Sequence, residues 1–276
     1  MNRAEALREG KEKLRFADFS EADLEAEVLL RHVLKINRAG LFSSLYENIS
    51  SHEYTRYLEF LNRRLQNEPL NYIIRYREFY GLGFYVDSRV LIPRPETEML
   101  VEEAIRIGLQ LKNPVVCDVG TGSGAIAISL AKNLPQAKIY GIDINNGCIQ
   151  VARKNAILHE VEDRINFITG DLLTLLPEPV DLIVANLPYV KQSDVRNVPG
   201  EPVVALDGGY DGLNVIRRLV LQVGMYIKQG CICLLEIGEN QDREIQDFIE
   251  CKLPDAGIKV SEDFAGINRM ITITLP

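Results

Sequence analysis

The chain has 276 residues, 46% hydrophobic and 25% charged, which suits one large domain or two smaller ones of an ordinary water-soluble protein. A net charge of −8 and a pI near 5.1 argue against a default nucleic-acid binder, which usually carries a basic face. No apolar run nears the ~20 residues of a membrane span, and the charged start Met1-Asn-Arg-Ala-Glu5 is unlike a signal peptide.

Residues 1–68 read as a small all-helical domain. Ser20-Glu-Ala-Asp23 and Ser50-Ser-His-Glu53 are capping-box signals. The first precedes a stripe of Leu24, Val28, Val33 and Leu34, the second one of Tyr54, Tyr57, Leu58, Leu61 and Leu65, both at helical spacing. Residues 69–90 are expected to link this domain to the rest. Within them Glu78-Phe-Tyr-Gly-Leu-Gly-Phe-Tyr-Val86 is aromatic and β-branched around two glycines, the pattern of a hairpin. Then comes Leu91-Ile-Pro-Arg-Pro-Glu-Thr-Glu98. Its prolines hold an extended turn that presents Arg94, and Thr97 or Glu96 can open the next helix. Such a loop could line a ligand site or be a helix start with solvated charges.

From Val115 strands and helices alternate: Val115–Val119, Gly124–Lys132, Lys138–Ile142, Cys148–Leu158, Ile165–Thr169 and Leu182–Ala185. That order predicts a parallel sheet covered on both faces. A helix from Asp211-Gly212 to about Lys228, a strand Cys231–Ile237, a helix Gln241–Cys251 and a closing strand Met270–Leu275 complete residues 91–276. Five cysteines without a CxxC pair are expected as free thiols in a reducing cytoplasm. His32, His52 and His159 lack ligand spacing, so no metal is expected.

Two stretches carry chemistry. In Asp118-Val-Gly-Thr-Gly-Ser-Gly124 the glycines Gly120, Gly122 and Gly124, with Thr121 and Ser123, let backbone approach a ligand at a helix N-terminus. Asp143, at the end of the next strand, can take both ribose hydroxyls of a nucleotide. This loop alone fits an NAD-linked dehydrogenase. Asp118 would repel a pyrophosphate but suit the cationic groups of S-adenosylmethionine, and Asp171 with Leu172 after the third strand could receive an adenine amino group. In Asp181-Leu-Ile-Val-Ala-Asn186-Leu187-Pro188-Tyr189 a buried strand stops at a proline. The carbonyls of Asn186 and Leu187 are thereby kept out of a helix, beside an amide oxygen and an aromatic wall. Two acceptors and a flat surface suit a planar –NH2 group; a strand end with turn-forming residues is the plainer reading.

Taken together, the stretches 91–98, 118–124 and 186–189 resemble the release-factor glutamine N5-methyltransferases, the PrmC/HemK group. Phe79-Tyr-Gly-Leu82, Glu201-Pro202, Gly209-Tyr-Asp-Gly-Leu213 and Leu235-Glu-Ile-Gly238 with Gln241 resemble that family too, and the similarity runs from about Arg63 onward. The resemblance implies a class I S-adenosylmethionine-dependent methyltransferase fold: an α/β, Rossmann-like, mostly parallel seven-stranded sheet whose last strand is antiparallel, preceded by a helical domain. It implies a cytoplasmic enzyme acting on the glutamine of the Gly-Gly-Gln loop of peptide chain release factors, with no membrane and no direct nucleic acid. By the same resemblance Gly120 to Gly124 hold the methionine moiety, Asp143 the ribose, and Asp171 and Leu172 the adenine. Asn186 borders the cofactor and, with Leu187, Pro188 and Tyr189, forms the catalytic, substrate-binding motif. The family usually has proline where this chain has Leu187. The alternatives are an adenine-N6 methyltransferase on DNA or RNA, which faces the same planar –NH2 problem, and a non-catalytic binding protein that docks a translation factor through residues 1–68.

Overall fold

In the computed structural model, which describes residues 1–276, the first helix begins where side chains satisfy its free N–H groups. Helix α1 (Arg3–Phe16) carries a reciprocal capping box between Asn2 and Glu5. Helices α2 (Ala22–Leu34) and α3 (Arg38–Ser43) lead to α4 (Ser51–Leu65), where Ser50 and Glu53 form the expected box. A short α5 (Leu70–Ile74) closes the first of two units, Met1–Arg75 and Tyr76–Pro276.

The Ser20 capping box does not form: α2 starts two residues later without a side-chain cap, and Asp23 pairs instead with Arg15 at 2.6 Å. Its buried stripe also differs from expectation. Ala26, Leu29, Leu30 and Val33 face the core with Glu25 and Glu27, while Leu24 is 46% exposed. Glu25 is matched by Arg64 of α4 at 2.7 Å and Glu27 by Arg31 and Arg38, both at 3.1 Å, so the two carboxylates are buried as ion pairs.

In the second unit a hairpin of β1 (Arg77–Phe79) and β2 (Leu82–Phe84) turns through Tyr80 and Gly81, both at positive φ (50° and 69°), as a two-residue hairpin demands. Helix α6 (Glu98–Gly108) follows, then β3 (Val115–Val119), α7 (Ala125–Asn133), β4 (Lys138–Asp143), α8 (Asn146–Leu158), β5 (Ile165–Thr169) and β6 (Val180–Ala185). Helix α9 (Asn214–Val223) ends before the predicted Lys228, because Ile227 already pairs with Val180 in the sheet. Sheet pairing outweighs a helical period there. The chain closes with β7 (Ile227–Glu236), α10 (Asp242–Lys252), β8 (Gly257–Glu262) and β9 (Asn268–Thr274).

The seven strands are ordered β5-β4-β3-β6-β7-β9-β8, with β3 to β7 parallel and β9 antiparallel to both neighbours. Strand β8, which the sequence reading passed over, is an edge strand whose only apolar residues, Ile258 and Val260, are half-buried. Side chains alternate between two cores. Val116, Leu182, Val184 and Ile139 pack against α6, α7 and α8. Cys117, Val119, Ile183 and Cys233 pack against α9 and α10. The parallel strands therefore read as continuous apolar runs, buried on both faces. No helix is long and apolar enough to cross a membrane.

Removing the α4 cap tests the local account. Ser50→Ala is expected to lower stability by ~1 kcal/mol, and Ser20→Ala to change it by less than ~0.5 kcal/mol. Chemical denaturation followed by far-UV circular dichroism measures both.

Candidate active site

The glycine loop is shaped from beneath. Gly120, Gly122 and Gly124 all sit at positive φ (76°, 54° and 81°), and the N–H groups of Gly120 and Thr121 both donate to the Ile142 carbonyl, at 2.8 and 2.9 Å. At Gly120 the limit is close approach: a Cβ would stand 3.0 Å from Leu187 Cδ2 and 3.3 Å from the Asn186 carbonyl oxygen. Fully buried Asn155 of α8 donates to the Ser123 carbonyl at 2.9 Å, and it also exchanges hydrogen bonds with Tyr85 after the hairpin. Asn155 carries no motif of its own, and nothing in the sequence singled it out.

Asp118 does not face a ligand as expected. It is fully buried and absent from the cavity wall; its Oδ2 accepts from Thr121 Oγ1 at 2.6 Å and from Ala127 N–H at 3.1 Å. It ties the loop to the first turn of α7, while its Oδ1 has no partner. Burial pushes its pKa up to about 7, against the pull of those two hydrogen bonds.

Asp143 and Asp171 do line the cavity. Asp143 Oδ2 accepts from Gly122 N–H and Oδ1 from Asn145 N–H, each at 2.9 Å, so its carboxylate is aimed by the loop it borders. Burial raises its pKa above the ordinary aspartate value. Asp171 is ion-paired with Arg218 of α9, and the buried Leu172 beside it has a φ of 51°, an uncommon backbone state for leucine.

At the end of β6 the structure adds a network that no stretch of sequence displays. Asn186 Nδ2 donates to Thr97 Oγ1 at 2.9 Å, and Thr97 Oγ1 donates to Glu236 Oε2 at 2.7 Å. The Tyr189 hydroxyl donates to Glu236 Oε1 at 3.1 Å, and Gln241 Nε2 donates to the Tyr189 carbonyl at 2.9 Å. Thr97 therefore does not cap α6, as its position suggests; its hydroxyl turns inward to the end of β7. Glu236 is 1% exposed, and burial raises its pKa to about 6. Leu187 is buried and packs in the core shared with α9, and its N–H makes no hydrogen bond. Arg94 pairs with Glu201, whose second oxygen accepts from the Ile92 N–H at 3.1 Å; this draws the Glu201-Pro202 segment onto the Pro93–Pro95 turn.

These elements enclose a cavity of about 560 Å³, the size of a small-molecule site. Gly120, Gly122, Asp143, Asp171 and Asn186 share its wall. Tyr189 does not reach that wall; its ring is packed against the α9 side.

Comparison with known proteins decides the family. A family model described as PrmC N-terminal domain matches residues 5–74, and one described as Methyltransferase domain matches residues 110–240. A release factor glutamine methyltransferase of Koribacter versatilis is 38% identical over 267 residues, 94% of this chain and 93% of that protein. The chain belongs to the release factor glutamine methyltransferase family. The protein of the same description from Bacillus anthracis is 36% identical over 256 residues, 89% of this chain and 90% of its own length. The fold recurs more widely: the T. thermophilus 16S rRNA N2 G1207 methyltransferase, solved with AdoMet and guanosine, aligns with a TM-score of 0.53 at 17% identity, over 73% of this chain and 50% of that one.

The buried Asp118 gives this member of the release factor glutamine methyltransferase family a testable pH signature. Its folded pKa lies above its ordinary value of 3.8, so its contribution to stability is complete below about pH 4 and is lost as pH rises through about 7. Asp118→Asn removes that dependence. The stability difference between variant and wild type is expected to move in the variant's favour by a few kcal/mol across that interval, measured by urea unfolding at pH 4.5 and 8.

Proposed function

We propose that this chain transfers a methyl group from S-adenosylmethionine to the side-chain amide nitrogen of the glutamine in the Gly-Gly-Gln motif of peptide chain release factors. The names of its relatives support that substrate. The observation that carries the reading is the polarity of Asn186: one of its two amide N–H groups donates to Thr97, and its oxygen receives no protein donor, so the oxygen is open to accept from a ligand. An amide –NH2 has two N–H groups to place. Asn186 Oδ1 takes one and the Leu187 carbonyl the other, while Pro188 keeps that carbonyl out of a helix.

The residues fit the cofactor. A Cβ at Gly122 would meet only the Gly120 carbonyl, at 3.9 Å, so the loop leaves room for a ligand there. Gly120 to Gly124 would hold the methionine part, Asp143 the ribose, and Asp171 with Leu172 the adenine, with Asn186 between the cofactor and the substrate amide. When bound, S-adenosylmethionine supplies an electrophilic methyl group on a sulfonium. The protein's task is the nucleophile. An amide lone pair is delocalised into its carbonyl, and fixed acceptors on both N–H groups orient the nitrogen and favour positive charge developing on it, a charge discharged when one of those N–H protons leaves to solvent. Holding it in line supplies much of the remaining acceleration. Leu187 replaces the proline usual in the family. Because its N–H is unused and its side chain is buried, its share in the site is its carbonyl. Free cysteines and a translation-factor substrate both point to the cytoplasm.

Labelled S-adenosylmethionine offered with release factor, DNA and ribosomal RNA in parallel tests the substrate; label in nucleic acid alone would overturn it. Asn186→Ala is expected to lower turnover by ~10²–10³ while sparing cofactor affinity. Asp143→Ala is expected to weaken S-adenosylmethionine by roughly 1.5–3 kcal/mol, read by calorimetric titration, with the fold intact.

A further inference from the structure

We propose that Glu236 is a positioning residue for the Asn186–Tyr189 motif: through Thr97 it fixes which atom of the Asn186 amide is offered to the substrate, and through the Tyr189 hydroxyl it fixes the far end of the same motif. The inference rests on the function proposed above and adds to it a group that touches neither substrate nor cofactor.

The argument is one of hydrogen-bond polarity. An ionised carboxylate only accepts, a hydroxyl has a single hydrogen to give, and a primary amide has a donating and an accepting end. Thr97 spends its one hydrogen on Glu236 Oε2 at 2.7 Å. Its oxygen can then only accept, and the atom 2.9 Å away on Asn186 must be the nitrogen. Turning that amide over would bring Oδ1 against a hydroxyl oxygen with no hydrogen between them. It would also offer –NH2 to an incoming –NH2, donor against donor. Asn186 Oδ1 meets no donor from the protein, so Thr97 is the only partner that tells the two ends apart. The second oxygen of Glu236 accepts from Tyr189 at 3.1 Å. One carboxylate on β7 thus sets both ends of a motif on β6.

Burial of a carboxylate without a salt bridge is costly, and no cation contacts Glu236. The charged groups near it are Arg269, which favours its ionised form, and Glu96, which opposes it; Tyr189 and Thr97 are its hydrogen-bond donors. Arg269 itself is occupied by Asp263 at 3.3 Å. A glutamate kept in such a place for packing alone would be replaceable by glutamine, which has the same shape. Glutamine, however, presents a donor as well as an acceptor. It can reverse the Thr97 hydroxyl, and with it the Asn186 amide.

The test uses the full chain with release factor as methyl acceptor. Glu236→Gln and Thr97→Val are expected to lower kcat by about 10- to 100-fold, with the dissociation constant for S-adenosylmethionine within threefold of wild type; Thr97→Val also lowers the thermal midpoint, because it leaves buried Glu236 one donor short. Thr97→Ser, which restores the hydroxyl, is expected to recover most of the rate lost in Thr97→Val. Combined with Asn186→Ala, Thr97→Val should cost nothing further, because the group it orients is gone; a merely structural role would add its loss independently. If Glu236→Gln does not fold, the Thr97 pair and the double variant carry the test alone. Variants that turn over within threefold of wild type, or losses that add, would overturn the proposal while leaving the proposed function standing. A wild-type chain that methylates no release factor would overturn both.

Discussion

Chain direction across the sheet reverses at β3, and the site follows from that. β3 is flanked by β4, its successor in the chain, on one side and by β6 on the other, so the connections leaving β3 and β6 diverge and open a crevice at the ends of those two strands. Every parallel strand then delivers its last residues to the same edge. The glycine loop follows β3, Asp143 ends β4, Asp171 follows β5, Asn186 follows β6 and Glu236 ends β7. Gly120 eases the approach of β3 and β6 there, because a Cβ would press on the Asn186 carbonyl and Leu187.

Asp118 and Glu236 at that edge are buried and Asp143 is half-buried, and each is held by hydrogen bonds rather than by a cation. Asp118 braces the loop from below, Asp143 accepts two backbone N–H groups, and Glu236 accepts two hydroxyls. Perturbed carboxylates gathered in one crevice mark a functional site. They differ in what they reach: Asp143 lines the cavity, whereas Asp118 and Glu236 act on residues that do.

What was legible in the sequence was local. The glycine loop, the strand ending at Asn186 and the Tyr80-Gly81 hairpin are written in consecutive residues, and their structural forms match. Glu236 and Thr97 lie 139 positions apart, and neither stretch predicts the other; only the packing of α6 against the sheet brings them together. The buried stripe of α2 is hidden in the sequence for a related reason. Glu25 and Glu27 look like solvent-facing residues until Arg64, a helix away in the chain, and Arg31 and Arg38 supply their charge partners. β8 escaped notice because an edge strand with two half-buried apolar residues has almost no periodic signal. Asp118 was placed correctly at the strand end but on the wrong side of the loop, since pattern alone cannot say which way a side chain turns beneath a glycine-rich bend.

The order β7-β9-β8 also bears on how the sheet is assembled. β8 is synthesised before β9 yet touches the sheet only through it, so it joins the sheet as the outer strand of a β8–β9 hairpin whose second strand docks on β7. Until then β7 keeps a bare edge of N–H and C=O groups, the kind of surface that recruits strands from other chains. The strand left exposed is the one that ends in Glu236. Pairing with β9 therefore also covers the open edge of the strand that supplies the polar network beside the cavity.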